Sequence, residues 1–170
     1  MALDVQMLRG SFNLALARQP NMTHVFYDHL FASHPAARPL FVSADMAVQE
    51  QMLGEALVAV LDHLEDVPWL QSTLAELGAK HAGYGVTTEM YDWVGDSLIA
   101  TLAKANGEQW TSAHTAGWGE AYGAIVAMML AGYPDARQAS LSGGDGRVRE
   151  GRVRRLLRLM FGRSTKPAGA

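Results

Sequence analysis

The chain has 170 residues, 49% of them hydrophobic and 18% charged, a formal net charge of −3 and no cysteine. Such a length suits one domain around a single core, and the composition lies far from the low-hydrophobicity, high-charge corner where disorder prevails. The missing thiols exclude disulfides, thiolate zinc sites, iron–sulfur clusters and cysteine nucleophiles.

No stretch approaches the ~18 uninterrupted apolar residues of a membrane span, and the start MALDVQMLRG lacks the basic-then-apolar plan of a secretory leader. The chain therefore reads as soluble and cytoplasmic. Its charge is unevenly spread: residues 1–140 carry 6 Lys and Arg against 15 Asp and Glu, whereas residues 141–170 carry 8 against 2. An acidic body repels polyanions, so no nucleic-acid partner is expected. The composition breaks at Leu141–Gly146, a turn-forming joint, which divides the chain into a folded domain over 1–140 and a linker with a basic tail over 141–170.

Up to that joint, apolar residues recur at intervals of three and four, with almost no alternating β-branched runs, which predicts an all-α fold. The first helix places Val5, Leu8, Phe12 and Leu16 on one face and ends at Gln19-Pro20. Asn21 is placed to cap a second helix carrying Val25, Phe26, Leu30 and Phe31, stopped by His34-Pro35. A single turn from Pro35 to Phe41 follows. Asp45 suits the cap of a long helix with an inner face of Val48, Met52, Leu53, Ala56, Leu57, Val60, Leu61 and Leu64. Asp66 and Pro68 announce the next helix, from Trp69 to about Ala82, closed by the glycines of Gly83-Tyr84-Gly85. Thr87 or Thr88 opens a fifth helix through Met90, Trp93, Val94, Leu98 and Leu102 to Asn106-Gly107, and Thr111 opens the sixth. The segment Tyr122–Tyr133 is apolar nearly all round, so it is expected at the centre of the fold.

Chemistry has few places to reside. There is no HExxH, no nucleophile elbow, no Walker loop and no strand for a dinucleotide fingerprint to follow. Only His24, His29, His34, His63, His81 and His114 could hold a transition metal. The first three are five residues apart, about 140° per step around a helix, so they do not converge on one ion. His63 reads as a solvated helix end, and nothing points to His114. His81 lies in the last turn of a helix before a glycine-rich corner; by spacing alone it is a surface residue at the negative pole of the helix dipole. Tyr27 and Phe41 read likewise as core aromatics, and Gln49 as a solvated first-turn residue.

Taken in register, FYDHLF (26–31), HPAARPLF (34–41), Gln49 with Leu53 four later, LGAKHAGYGV (77–86), MYDWVGDSL (90–98) and WGEAYG (118–123) resemble a bacterial single-domain globin over about residues 5–133. The likeness is strongest to the haemoglobin domain of flavohaemoglobins. It implies a globin fold with helices A, B, C, E, F, G and H, and haem b as cofactor. His81 would be the proximal iron ligand, with Phe41, Leu53, Lys80, Tyr84, Val86, Tyr91 and Val94 as further haem contacts. Tyr27 and Gln49 would be the distal pair facing a diatomic ligand. The resemblance implies dioxygen binding and, as the usual associated activity, nitric oxide oxidation to nitrate, here dependent on an external reductase because no reductase domain follows. A haem-based sensor or electron-transfer module signalling through the tail is the alternative reading, and a haem-free helical interaction domain a third. The chain departs from the family where relatives carry a helix H glutamate behind the proximal histidine; Tyr133 falls there, which argues against peroxidase-like electron push.

In residues 147–163, Val153, Leu156, Leu157 and Met160 form a helical stripe flanked by Arg152, Arg154, Arg155 and Arg158. Such a basic amphipathic segment suits an anionic membrane surface or the acidic face of a second subunit.

Overall fold

A computed structural model describes residues 3–134. The linker and the amphipathic tail expected over 141–170 lie outside the described residues. Six α-helices follow in order: α1 (Val5–Arg18), α2 (Met22–Ser33), α3 (Met46–Asp62), α4 (Val67–Gly83), α5 (Thr88–Asn106) and α6 (Ser112–Leu130), with a 3-10 turn over Pro35–Phe41. The described residues contain no strand.

Side-chain chemistry explains most helix ends. The Asp45 carboxylate accepts from the backbone N–H of Ala47 and Val48, and Asp66 accepts from Trp69, so both helices begin on the expected aspartates. Asn21 occupies the cap position of α2, but its side chain is held by the Gln19 amide instead. Thr111 starts α6 through a capping box completed by His114, whose ring nitrogen accepts the Thr111 N–H at 3.2 Å. A structural role therefore falls to a histidine for which the sequence suggested none. Gly85 (φ 82°) and Gly107 (φ 57°) supply the left-handed conformations that turn the chain after α4 and α5.

Helix α4 packs on α6, α2 on α5, and α1 on α5 and α6. Two of these contacts are so close that they require glycine. A Cβ on Gly78 would stand 1.8 Å from the Met129 carbonyl oxygen, and one on Gly132 would stand 1.7 Å from that of Ala75, so backbone meets backbone where α4 crosses α6. At the other end of the molecule a polar hub is fully paired within the core. The Trp118 indole donates to Ser11 Oγ, Ser11 donates to the Leu8 carbonyl, and the Asn106 amide donates to the carbonyls of Ser11 and Leu102. Buried groups satisfied in this way fix the register of α1, α5 and α6.

The apolar helix α6 is not central. Trp118, Ala121 and Met129 are buried, whereas Gly123, Ala124, Ala127 and Ala131 are exposed. Those exposed residues are small, so an apolar composition coexists with a solvent-facing side, and the expectation from composition alone fails. His63 also departs from its solvated reading: it stacks on Trp69 with ring centroids 3.8 Å apart.

Candidate functional site

The inner face of α3 shows where the core gives way to a site. The stripe from Val48 to Leu64 is in the expected helical register, yet only Leu61 is buried; Met52, Leu53, Ala56, Leu57 and Val60 are half-buried. They line a cavity of about 1780 Å³, walled also by α2, the Pro35–Phe41 turn, α4 and α5. Ordinary small-molecule pockets span roughly 300–1,000 Å³. All ten residues singled out in the sequence, Tyr27, Phe41, Gln49, Leu53, Lys80, His81, Tyr84, Val86, Tyr91 and Val94, line this one space. Lys80 is half-buried, whereas Tyr84 is 59% exposed.

On the α2–α3 wall, Tyr27 is buried to 5% exposure within an aromatic cluster with Phe26, Phe31 and Phe41. Gln49 Nε2 donates to the Tyr27 hydroxyl at 3.1 Å. The phenol oxygen thus accepts from Gln49 while its own proton stays available to donate. Burial pushes the Tyr27 hydroxyl up to about 12, partly offset by the Gln49 hydrogen bond, so Tyr27 remains a neutral donor at physiological pH. Outside the cavity, His24 ties the same two helices together. Its Nδ1 lies 2.8 Å from Glu50 and its Nε2 3.4 Å from Asp28, the neighbours in sequence of Gln49 and Tyr27.

On the α4 wall, His81 Nδ1 lies 2.9 Å from the Leu77 carbonyl. A carbonyl only accepts, so Nδ1 carries the proton and, in the neutral ring, Nε2 carries the lone pair. Burial lowers the imidazole below its ordinary value, opposed by the Leu77 bond, which favours that neutral form. The ring stacks against Tyr91, centroids 6.1 Å apart. Tyr133 donates to the Val86 carbonyl at 2.9 Å and lies 3.2 Å from the Tyr91 hydroxyl. Since Tyr133 has one proton and the carbonyl takes it, Tyr91 is the donor in the second bond. The chain runs from Tyr91 through Tyr133 to Val86, whose own N–H returns to the His81 carbonyl at 3.0 Å. Tyr133 therefore sits behind the His81 corner, where the sequence placed it.

Sequence reasoning did not assign Leu57, Met90, Trp93 or Ile125 to the site, yet all four line the cavity. Met90 and Trp93 lie on the fifth helix beside Val94; helical spacing reports an inward face without saying whether protein or a ligand covers it. Among the described residues no group of three or more His, Asp or Glu could hold a metal ion, so a metal here must bring most of its own ligands.

The fold and cavity define an all-α protein with a large, mostly apolar cavity lined by His81 on one side and by the Tyr27–Gln49 pair on another. A globin family model matches residues 24–129, well over half of the chain, and the chain belongs to the globin family. It is 33% identical to a flavohaemoprotein of Rhizobium meliloti over 109 residues, covering 63% of this chain and 27% of that protein, so it spans about a quarter of that relative's length. A Pseudomonas aeruginosa protein described as structurally homologous to human haemoglobin superposes with a TM-score of 0.69 at 24% identity, covering 76% of this chain and 97% of that one. An engineered carbene transferase, built on a candidate nitric oxide dioxygenase of Rhodothermus marinus, gives 0.67 at 21% identity, covering 85% and 99%. Both structural likenesses show the fold. Family membership implies a haem, and the residues present fit one: the cavity is large and apolar, and a neutral imidazole with its second nitrogen hydrogen-bonded is a good axial ligand.

Proposed function

We propose that the chain holds haem b in this cavity and binds dioxygen reversibly. The observation that carries the reading is that His81, fixed by Leu77, and the Tyr27–Gln49 pair line the same cavity from different helices. His81 would hold the iron through Nε2, whose lone pair is left available by the Nδ1 bond to Leu77. Leu53, Phe41, Val86, Tyr91 and Val94 would form the apolar wall against the macrocycle, with Lys80 and Tyr84 at its edge. Haem held there would supply an iron centre for a diatomic gas. Tyr27 would offer its O–H to that gas, with Gln49 orienting the phenol through one N–H and holding a second N–H in reserve, in a pocket too apolar for water to compete strongly.

The reading extends to nitric oxide. Its conversion to nitrate joins one nitric oxide to one dioxygen and takes up one electron, and a reductase would have to supply that electron. The support is the flavohaemoprotein likeness. An amide carbonyl polarises His81 less than a carboxylate would, and Tyr133 also donates its hydrogen bond to a carbonyl, which favours holding dioxygen over peroxidase-like chemistry. Anaerobic mixing of the dioxygen-loaded protein with nitric oxide tests the extension. Stoichiometric nitrate is expected, and dioxygen displaced without nitrate would leave only the binding role. The division into a globin domain over 1–140 and a tail over 141–170 stands as part of the same proposal.

A further inference from the structure

One side of α6 has no partner in the described fold. Gly119, Gly123, Ala124, Ala127 and Ala131 are exposed, and a Cβ added at Gly119 or Gly123 would meet nothing within 4 Å. Glycine inside an exposed helix costs roughly 1 kcal/mol relative to alanine, and no contact among the described residues requires it here. What these residues provide is a shallow apolar lane along which another helix can approach closely. Its border is acidic. Glu89, Asp92 and Asp96 are exposed at i, i+3 and i+7 of α5, and Gly95, next to Asp96, packs against the Tyr122 ring of α6, so this acidic row lies on the α5 side of the lane. Glu120 lies on the lane itself.

We propose that this lane is the docking site of the chain's own segment 147–163. Its sequence carries the complementary pattern, an apolar stripe of Val153, Leu156, Leu157 and Met160 flanked by Arg152, Arg154, Arg155 and Arg158. Geometry permits the return. The 19 residues of α6 span about 28 Å and a helix over 147–163 would span about 25 Å. Residues 135–146 can reach about 40 Å when extended, more than a reversal needs. Docked antiparallel, residue 163 lies near the start of α6. A tethered segment meets its own lane at an effective concentration on the order of millimolar, which favours the same chain over a second copy. A bilayer of anionic lipid would have to accept the acidic body together with the tail. The proposal does not depend on the haem reading.

The absence of cysteine makes the test direct. Spin labels on an Ala113→Cys/Arg163→Cys variant of the full chain should give a narrow short-distance peak in low salt. High salt, or Asp92→Lys with Asp96→Lys, should abolish that peak in favour of a broad, longer distribution. Absence of a short peak in low salt, or one that survives both salt and charge reversal, overturns the proposal. So does a short distance between singly labelled chains, which would assign the lane to a second copy. A peak that forms only with vesicles rich in phosphatidylserine would assign the segment to lipid and overturn it equally.

Discussion

Replacing Tyr27 by Phe removes one hydroxyl and little else, which makes it the sharpest probe of the distal wall. The ring stays where its neighbours hold it, 5.0 Å from Phe26, 5.8 Å from Phe31 and 5.5 Å from Phe41 between centroids. What is lost is the buried donor, together with the acceptor that orients Gln49 at 3.1 Å. A hydrogen bond to a charged group contributes about 1.5–3 kcal/mol, and each 1.4 kcal/mol is tenfold, so the loss alone accelerates dioxygen release by roughly 10- to 100-fold. Gln49, released from the phenol, can turn its N–H toward the ligand and recover part of that, which places the expected effect near the lower end. Gln49→Leu should cost only a few-fold, since Tyr27 keeps its proton for the ligand. Because the two side chains touch, the double variant should depart from the product of the singles. Stopped-flow displacement of dioxygen by carbon monoxide measures the rate. A Tyr27→Phe off-rate within about twofold of the parent would refute the assignment of Tyr27 as donor.

Other consequences follow from packing and charge. Gly78→Ala drives a Cβ into the Met129 backbone, and Gly132→Ala does the same at Ala75, so each should destabilise by at least about 1–3 kcal/mol, read as several degrees in a thermal melt. Gly123→Ala, with nothing near its Cβ, should leave the melt unchanged or raise it. The His24 imidazole is raised above 6.5 chiefly by its hydrogen bond to Glu50, with Asp28 adding. Its contribution is therefore fully present below pH 6.5 and fades as pH rises through the higher folded value. Stability measured across that window should fall with pH in the parent and less steeply in His24→Gln; equal slopes would remove the clasp. Tyr133→Phe breaks the bond to Val86 while keeping the ring, and a changed iron–histidine stretching frequency in the ferrous protein would show that the strut reaches His81.

Much of the fold was legible because helix signals are local. Asp45, Asp66 and Thr111 mark starts through their own hydrogen bonds, and the glycines at 85 and 107 mark ends through φ. The site was legible only from motifs in register. Spacing made His81 a surface residue and Tyr27 a core aromatic, and both statements are partly correct, since a site buried inside a helical fold uses the same periodicity as the core. The hydrogen bonds around them join residues far apart in sequence, such as Gln49 to Tyr27 and Tyr133 to Val86, and no local pattern encodes them. His114 was missed for the opposite reason. A histidine three residues after Thr111 completes a capping box usually built with Glu or Gln, so the expected residue type concealed it. Apolar composition over Tyr122–Tyr133 overstated burial because alanine and glycine count as apolar yet lose little when left in water.

The central claim is that His81 is the protein's ligand to a haem in this cavity, and the visible absorption spectrum of the purified full chain tests it most directly. Titration with haem should saturate at one per chain and give, on reduction, the spectrum of a histidine-ligated five-coordinate iron. His81→Gly should lose that spectrum and added imidazole should restore it. A parent that takes up no haem, or a His81→Gly variant whose spectrum matches the parent without imidazole, would contradict the account.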